Sequence, residues 1–303
     1  MPSLPGNVQL VACAIAALLL PVYVGAFVAP GAGNTPAVKG RNIRISLCAA
    51  SATTAEAAKE NLKDALAANQ GSTLSAEVVA ATEELAKFNP PSSTAKAWSL
   101  QCGDWLSIGQ YTKGTTRTPD GLECTLGRLA FSIFEPVTLP ILMTEIVNTI
   151  GPRAEGAEPT DHSFYNNCIR WVARDGSGLK GIAEIEGVCW EHPTRPNDIM
   201  VTFTKGTIRP DEGQDLDAWR KVIGVKDESQ KNGPLSVLKE RAAKLFLKVA
   251  FGFIGPASSQ GPAGELTYKL KRSPKASLEI LYLDDELRIT RGSKGALVVT
   301  ARA

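Results

Sequence analysis

Two histidines, His162 and His192, supply every imidazole in this chain, and neither stands beside a serine or cysteine in a recognisable nucleophile setting. General-base catalysis therefore has few candidates. Cys189 and His192 have a spacing compatible with a metal, but a zinc site needs further ligands that only Cys168, His162, Cys124 or Cys102 would bring from afar. A solvated histidine beside Pro193 is the simpler reading, and no metal site is expected. Asp161, His162 and Glu184 would act on a lipid substrate only if they converged inside a cavity, and their spacing gives no sign that they do. Gly176-Ser177-Gly178 lies between two strand candidates and reads as a hairpin turn rather than a phosphate loop. The expectation is a binding protein with no catalytic residue.

Charge narrows the partners. The 33 Lys+Arg and 31 Asp+Glu leave a formal charge of +2, too little for the long-range field that a phosphate backbone requires, so nucleic acid is excluded. Hydrophobic residues make up 44% of 303, enough for a substantial core. Of six cysteines, Cys13 and Cys48 fall in a segment expected to be removed, and Cys102, Cys124, Cys168 and Cys189 read as free thiols of a reducing compartment.

The elements that would position a site follow from periodicity. Apolar residues at helical spacing predict helices over 53–68 and 75–88, the second stopped by Pro90-Pro91. From Trp98 onward, short runs of Val, Ile, Leu, Phe and Thr between Gly, Pro, Asn and Asp predict strands near 98–112, 121–134, 138–148, 163–173, 179–190 and 198–208. A three-strand meander follows at Leu278–Leu283, Leu287–Arg291 and Ala296–Thr300. Nine or ten strands at this spacing predict a mainly β fold, an antiparallel barrel closed or nearly so, because closure removes exposed edges. Residues 210–264 read as a helical insertion within one domain spanning 55–303. Within it, Leu235 to Ile254 places Leu238, Leu245, Phe246, Val249 and Phe253 on an apolar stripe with Lys244 and Lys248 off it. Such a basic amphipathic helix lies on an anionic membrane, caps a barrel or docks on a partner protein.

The start of the chain looks like an address. Val8 to Phe27 is apolar and ends in Val24-Gly25-Ala26, small residues that suit removal of a signal peptide at 1–26, although no Lys or Arg precedes the run. Residues 27–54 carry Lys39, Arg41 and Arg44 and no acidic residue, which is transit-peptide composition. Gly25-Ala26-Phe27-Val28-Ala29-Pro30 resembles the Phe-containing junction of plastid precursors in algae with secondary plastids. An ordinary secreted protein with an irregular start is the alternative.

Three stretches carry a wider resemblance. Leu85-Ala86-Lys87-Phe88-Asn89-Pro90 and Leu100-Gln101-Cys102-Gly103-Asp104-Trp105 look like the opening of the plastid lipid-associated protein (fibrillin, or plastoglobulin) family. Leu283 to Gly295, LDDELRITRGSKG, is similar to its closing signature. Ser293, where an acidic residue is more usual, and the long 210–264 segment depart from that pattern. The family is similar to lipocalins, which implies a calycin-like barrel whose mouth takes a small apolar molecule such as a carotenoid, quinone or acyl lipid. The resemblance also implies a plastid protein, stromal and peripheral to thylakoid or plastoglobule surfaces, or a structural subunit docked on a thylakoid photosynthetic complex. Alternation then nominates Phe131, Ile133, Trp171, Ile182, Val201 and Phe203 as inward, pocket-lining side chains, although a solid core would use the same residues. Gly103 lets the first strand bend, Trp105 plugs the end of the barrel, and Arg288 or Arg291 lies across the indole.

Overall fold

The computed structural model describes residues 54–303 apart from 90–93, 111–113, 131, 155, 157, 159–160, 226–251, 256–259 and 274. The expected signal and transit segments, Phe131, and the helix residues Leu238, Lys244, Leu245, Phe246, Lys248 and Val249 lie outside the described residues.

Two helices come first, as expected. In α1 (Ala55–Ala68), the Thr54 side chain accepts from Ala57 N, satisfying a donor that the first turn leaves open. Ser75 caps α2 (Ala76–Ala86) in the same way through Val78 N. Ala58, Leu62 and Leu66 on α1 recur at four residues and Val78, Thr82 and Leu85 on α2 at four and three, so each helix has one buried stripe. A third helix, α3 (Thr94–Gln101), stands where the front of a strand was expected. The alternation Trp98, Leu100, Cys102 mimics a strand, but it ends at Gly103, whose φ of +112° turns the chain sharply into β1 (Gly103–Gln110).

The chain continues through β2 (Thr116–Thr118) and β3 (Gly121–Thr125) to a one-turn helix, α4 (Leu126–Leu129). That turn cuts short the expected strand over 121–134, because Thr125 caps it through Arg128 N and Gly127 packs where a Cβ would lie 2.6 Å from the Val137 carbonyl. Then follow β4 (Phe134–Glu135), β5 (Pro140–Ile150), β6 (Ser163–Ala173), β7 (Lys180–Glu191) and β8 (Asp198–Pro210). Within 210–264 lie α5 (Leu216–Val222), β9 (Gly224–Val225) and β10 (Phe253–Ile254). Phe253, expected on a helix, is therefore in a strand, and Gly252 with a φ of +57° sets the break before it. The last strands are β11 (Leu266–Leu270), which sequence reading passed over, β12 (Ala276–Leu283), β13 (Leu287–Gly292) and β14 (Leu297–Arg302).

Eight antiparallel strands close a ring in the order β1-β14-β13-β12-β8-β7-β6-β5, with β5 pairing back to β1. Two strands are long enough to serve two neighbours each. β5 pairs with β1 through Val147–Ile150 and with β3 through Pro140–Met143. β8 pairs with β12 through Asp198–Val201 and with β11 through Lys205–Ile208. The wall thus forks at one end into a cup, with β3 and β2 on one rim and β11 and β10 on the other. Bulges in β5 between Met143 and Glu145 and in β8 between Phe203 and Lys205 lie at the two forks, where the strands must bend. Outside the ring, α1 and α2 cover the apolar outer face of β12–β14, packing against Leu281, Leu287, Ile289, Leu297 and Val299.

Candidate binding site

Three strata fill the space inside the wall. The ring encloses Trp105, Ile150, Tyr165, Ile185, Cys189, Ile199, Val201, Phe203, Leu278 and Ile280. The cup encloses a second cluster that includes Leu122, Leu126, Phe134, Ile141, Ile169, Trp171, Ile208, Trp219 and Tyr268. Between them runs a polar layer. Asn148 Nδ2 donates to Asn167 Oδ1 at 2.8 Å and to the Asn166 carbonyl at 3.0 Å, while the Arg288 guanidinium donates to Asn148 Oδ1. All three side chains are buried, so these bonds hold amide and cationic groups that would otherwise carry the full cost of desolvation.

The closed end is built on Trp105, which is fully buried and donates from Nε1 to the Gln101 carbonyl at 2.8 Å. Two arginines stack on its ring, Arg302 at 4.0 Å and Arg288 at 5.1 Å from the centroid. Arg302 also donates to the Leu100 carbonyl at 2.8 Å and to the Cys102 carbonyl, tying α3 across the end of the barrel. Gly103 makes this path possible, since a Cβ there would lie 2.8 Å from Arg302 Nη1. Arg288 thus has the contact expected of it. Arg291 does not reach the indole and pairs with Glu279 on the outside at 3.4 Å. Arg302, the nearer contact, went unnamed in the sequence because it lies two residues beyond the expected end of the last strand. On the same end, Arg153 stacks on Trp98 at 3.6 Å and pairs with Glu191 at 2.7 Å.

The nominated pocket residues divide. Val201 and Phe203 belong to the ring stratum, and Trp171 and the partly buried Ile133 to the cup. Ile182 takes the opposite parity. The inward set on β7 is Ala183, Ile185 and Cys189, whereas Ile182 shares its face with Glu184, whose carboxylate pairs with Arg209 on the outside at 2.7 Å. The parity was misread because β7 has consecutive apolar residues, Gly181-Ile182-Ala183, that hide its phase.

The cup carries the most informative polar group. Trp171 is 1% exposed, its ring lies 5.7 Å from that of Trp219, and Gly181 leaves room for it where a Cβ would lie 2.4 Å from the indole. Trp219 Nε1 donates to the Gly264 carbonyl at 2.8 Å, but the buried Trp171 Nε1 has no acceptor among the described residues. A buried N–H with no acceptor is uncommon, and it suits a ligand that brings a carbonyl or ether oxygen. Around it, α4, the β4–β9 pair and α5 cover the cup in place of a ring strand.

The residues with reactive chemistry lie apart. His162 stacks on Trp190 at 4.6 Å, and His192 Nδ1 accepts from Thr194 N and Arg195 N, both at 3.2 Å, within the β7–β8 turn. Asp161 accepts from Glu158 N at 2.9 Å, away from Glu184. Cys189 lies in the ring stratum, where burial pushes its thiol up to about 12, and burial likewise pushes Cys124 up to about 11. Among the described residues no group of three or more metal-binding side chains comes together, and no helix is long and apolar enough to cross a membrane.

Residues 192–301 match the PAP_fibrillin family model, whereas none of the curated proteins or solved structures compared with the chain matches it. The matched span supplies β8 and β11 to β14, including the strand that carries Arg288. Over residues 192–301 the chain is thus similar to the fibrillins, and that span forms one part of the wall of a lipocalin-like barrel.

Proposed function

We propose that this chain is a non-enzymatic plastid protein that binds a lipophilic small molecule, a carotenoid, quinone or acyl lipid, and associates peripherally with thylakoid or plastoglobule surfaces on the stromal side. Fibrillins are plastid-associated and generally structural or lipid-associated, which supports the coarse reading. The observation that supports the finer one is the cup, an apolar cluster beyond the closed ring, covered by short elements and holding the indole N–H of Trp171, which has no acceptor among the described residues. A quinone or an ester has the apolar body and the acceptor oxygen that such a site selects. Entry there would pass α4, β9 and α5, the short elements that cover the cup among the described residues. The test is native mass spectrometry with solvent extraction on protein purified from its own cells. A stoichiometric pigment, quinone or lipid that is lost in Trp171→Ala and weakened in Trp171→Phe supports the proposal, while empty protein from intact membranes counts against it.

A second reading is favoured by how tightly the interior is shut. Trp105, Tyr165 and Trp171 are each at most 1% exposed, so among the described residues their surroundings are close to filled. A filled barrel suits a structural subunit docked on a thylakoid complex, in which the fold presents a surface rather than a cavity. Co-purification of ligand-free protein with such a complex would favour this reading.

A further inference from the structure

Outside the barrel, the C-terminal end of α1, the end of β1 and the β2–β3 hairpin enclose a cleft of about 440 Å³. Leu66, Ala67, Ile108 and Pro119 give it an apolar lining, and Lys63 and Arg117 give it two cations, while no acidic residue lines it among the described residues. Arg117 is held in place there. Its Nε donates to the Gln70 carbonyl, and its guanidinium lies over Gly71, where a Cβ would come within 2.3 Å of Nη2. Burial lowers the hold of this guanidinium on its proton, and no ion pair among the described residues offsets that. Lys63 bonds Glu60 at 2.8 Å on the exposed side of the helix, which occupies one of its three donors. The end of a helix carries partial negative charge, which would oppose an anion. Here the last carbonyls are already taken, since Asn69 N donates to Ala65 O at 3.1 Å, Gly71 N to Leu66 O at 2.7 Å, and Arg117 to Gln70 O.

We propose that this cleft binds an oxyanion that carries an apolar chain, with the head at Lys63 and Arg117 and the chain along Leu66, Ala67, Ile108 and Pro119. The head is a carboxylate or a phosphate, delivered either by a free acyl anion or by the headgroup of a membrane lipid. Arginine presents a planar fork that fits either head, and the apolar lining demands the chain. The site shares no residue with the cup, so the two readings stand or fall separately.

The experiment is calorimetric titration of the full chain with dodecanoate, with dodecanol and inorganic phosphate as controls. Dodecanoate is expected to bind, and dodecanol and phosphate to bind at least about tenfold more weakly, since each lacks one of the two contacts. Arg117→Gln is expected to weaken dodecanoate by about tenfold, and the exposed Lys63→Gln by about threefold, in line with loss of charge-assisted bonds. Ala67→Trp, which fills the cleft without altering charge at an exposed position, is expected to abolish binding. Flotation with phosphatidylglycerol and phosphatidylcholine vesicles separates the two sources. Recruitment to phosphatidylglycerol alone, lost in Arg117→Gln, assigns the lipid headgroup, and binding of dodecanoate without recruitment assigns the free acyl anion. Wild-type affinity in Ala67→Trp and in Arg117→Gln, equal affinity for dodecanol, or no binding of dodecanoate would each overturn the proposal.

Discussion

Lys59 joins α1 to the turn between β12 and β13, and its removal makes a quantitative test. Its side chain is only 5% exposed, with the ammonium 2.8 Å from Asp284, 3.0 Å from Glu56 and 3.5 Å from Glu286. Burial opposes that charge, yet the hydrogen bonds to Asp284 and Glu56 outweigh it and hold the ammonium above its ordinary pKa. Asp284 is the mirror case. Burial pushes its carboxyl up, but donors from Lys59, Glu286 N, Leu287 N and the Tyr282 hydroxyl bring it below the usual carboxylate range. Removing one partner of a buried pair costs about 3–5 kcal/mol, and Lys59→Met should sit near the lower end, about 3 kcal/mol, because Asp284 keeps three donors and water reaches the two glutamates. The folded carboxyl binds its proton less readily than the unfolded one, so its contribution is complete above about pH 5 and is lost as pH falls through the folded pKa, below about pH 4. Urea denaturation followed by tryptophan fluorescence, at pH 7 and at steps down to pH 2.5, measures both effects. A cycle with Asp284→Asn should give a coupling of about 1–2 kcal/mol at pH 7, shrinking towards zero at the acid end. Coupling below about 0.5 kcal/mol at pH 7, or an acid limb unchanged in Asp284→Asn, would refute the assignment.

Gly181→Ala places a Cβ 2.4 Å from Trp171 and 2.8 Å from Trp219 and should cost about 2–3 kcal/mol, read as a lower urea midpoint with an unchanged slope. Arg302→Met retains the apolar stem against Trp105 but strips a donor from the Leu100 and Cys102 carbonyls, so a loss of about 2 kcal/mol is expected by the same assay. With Ellman's reagent at pH 8, Cys124 and Cys189 should stay unmodified in the native chain, because burial raises both thiols well above that pH, and react only in denaturant.

Much of the wall was legible in the sequence because strands such as β6 turn one face to the core and the other outward, which writes an alternation. The strands expected at 163–173, 179–190 and 198–208 begin and end within two residues of β6, β7 and β8. What resisted reading has specific causes. Trp98, Leu100 and Cys102 alternate like a strand, yet Leu100 offers its carbonyl to Arg302, two hundred residues onward, a long-range bond that no local pattern encodes. Leu266, Tyr268 and Leu270 alternate as well as any strand, but the run is only five residues long and follows a stretch already read as helical. The division of the interior into ring and cup was invisible because it arises from two strands that change partners midway, a property of pairing and not of composition. The polar layer was missed for a related reason, since Asn148 and Asn167 are separately ordinary strand residues and become a network only when set side by side.

The seam that closes the ring pairs Trp105 with Arg302 and Leu106 with Ala301, the first strand of the barrel with the last. No hairpin brings these segments together, so their meeting costs loop-closure entropy over nearly the whole domain before any contact rewards it. Closure of the ring therefore depends on β14, the last of its strands in chain order. Until β14 is available, β1 has only its short pairing with β5, Trp105 lacks the nearer of the two guanidiniums that cover it, and both edges of the seam remain templates for other strands. A chain emerging from a ribosome would thus keep this seam open to chaperones and neighbours until β14 has followed the other strands, and only then shut.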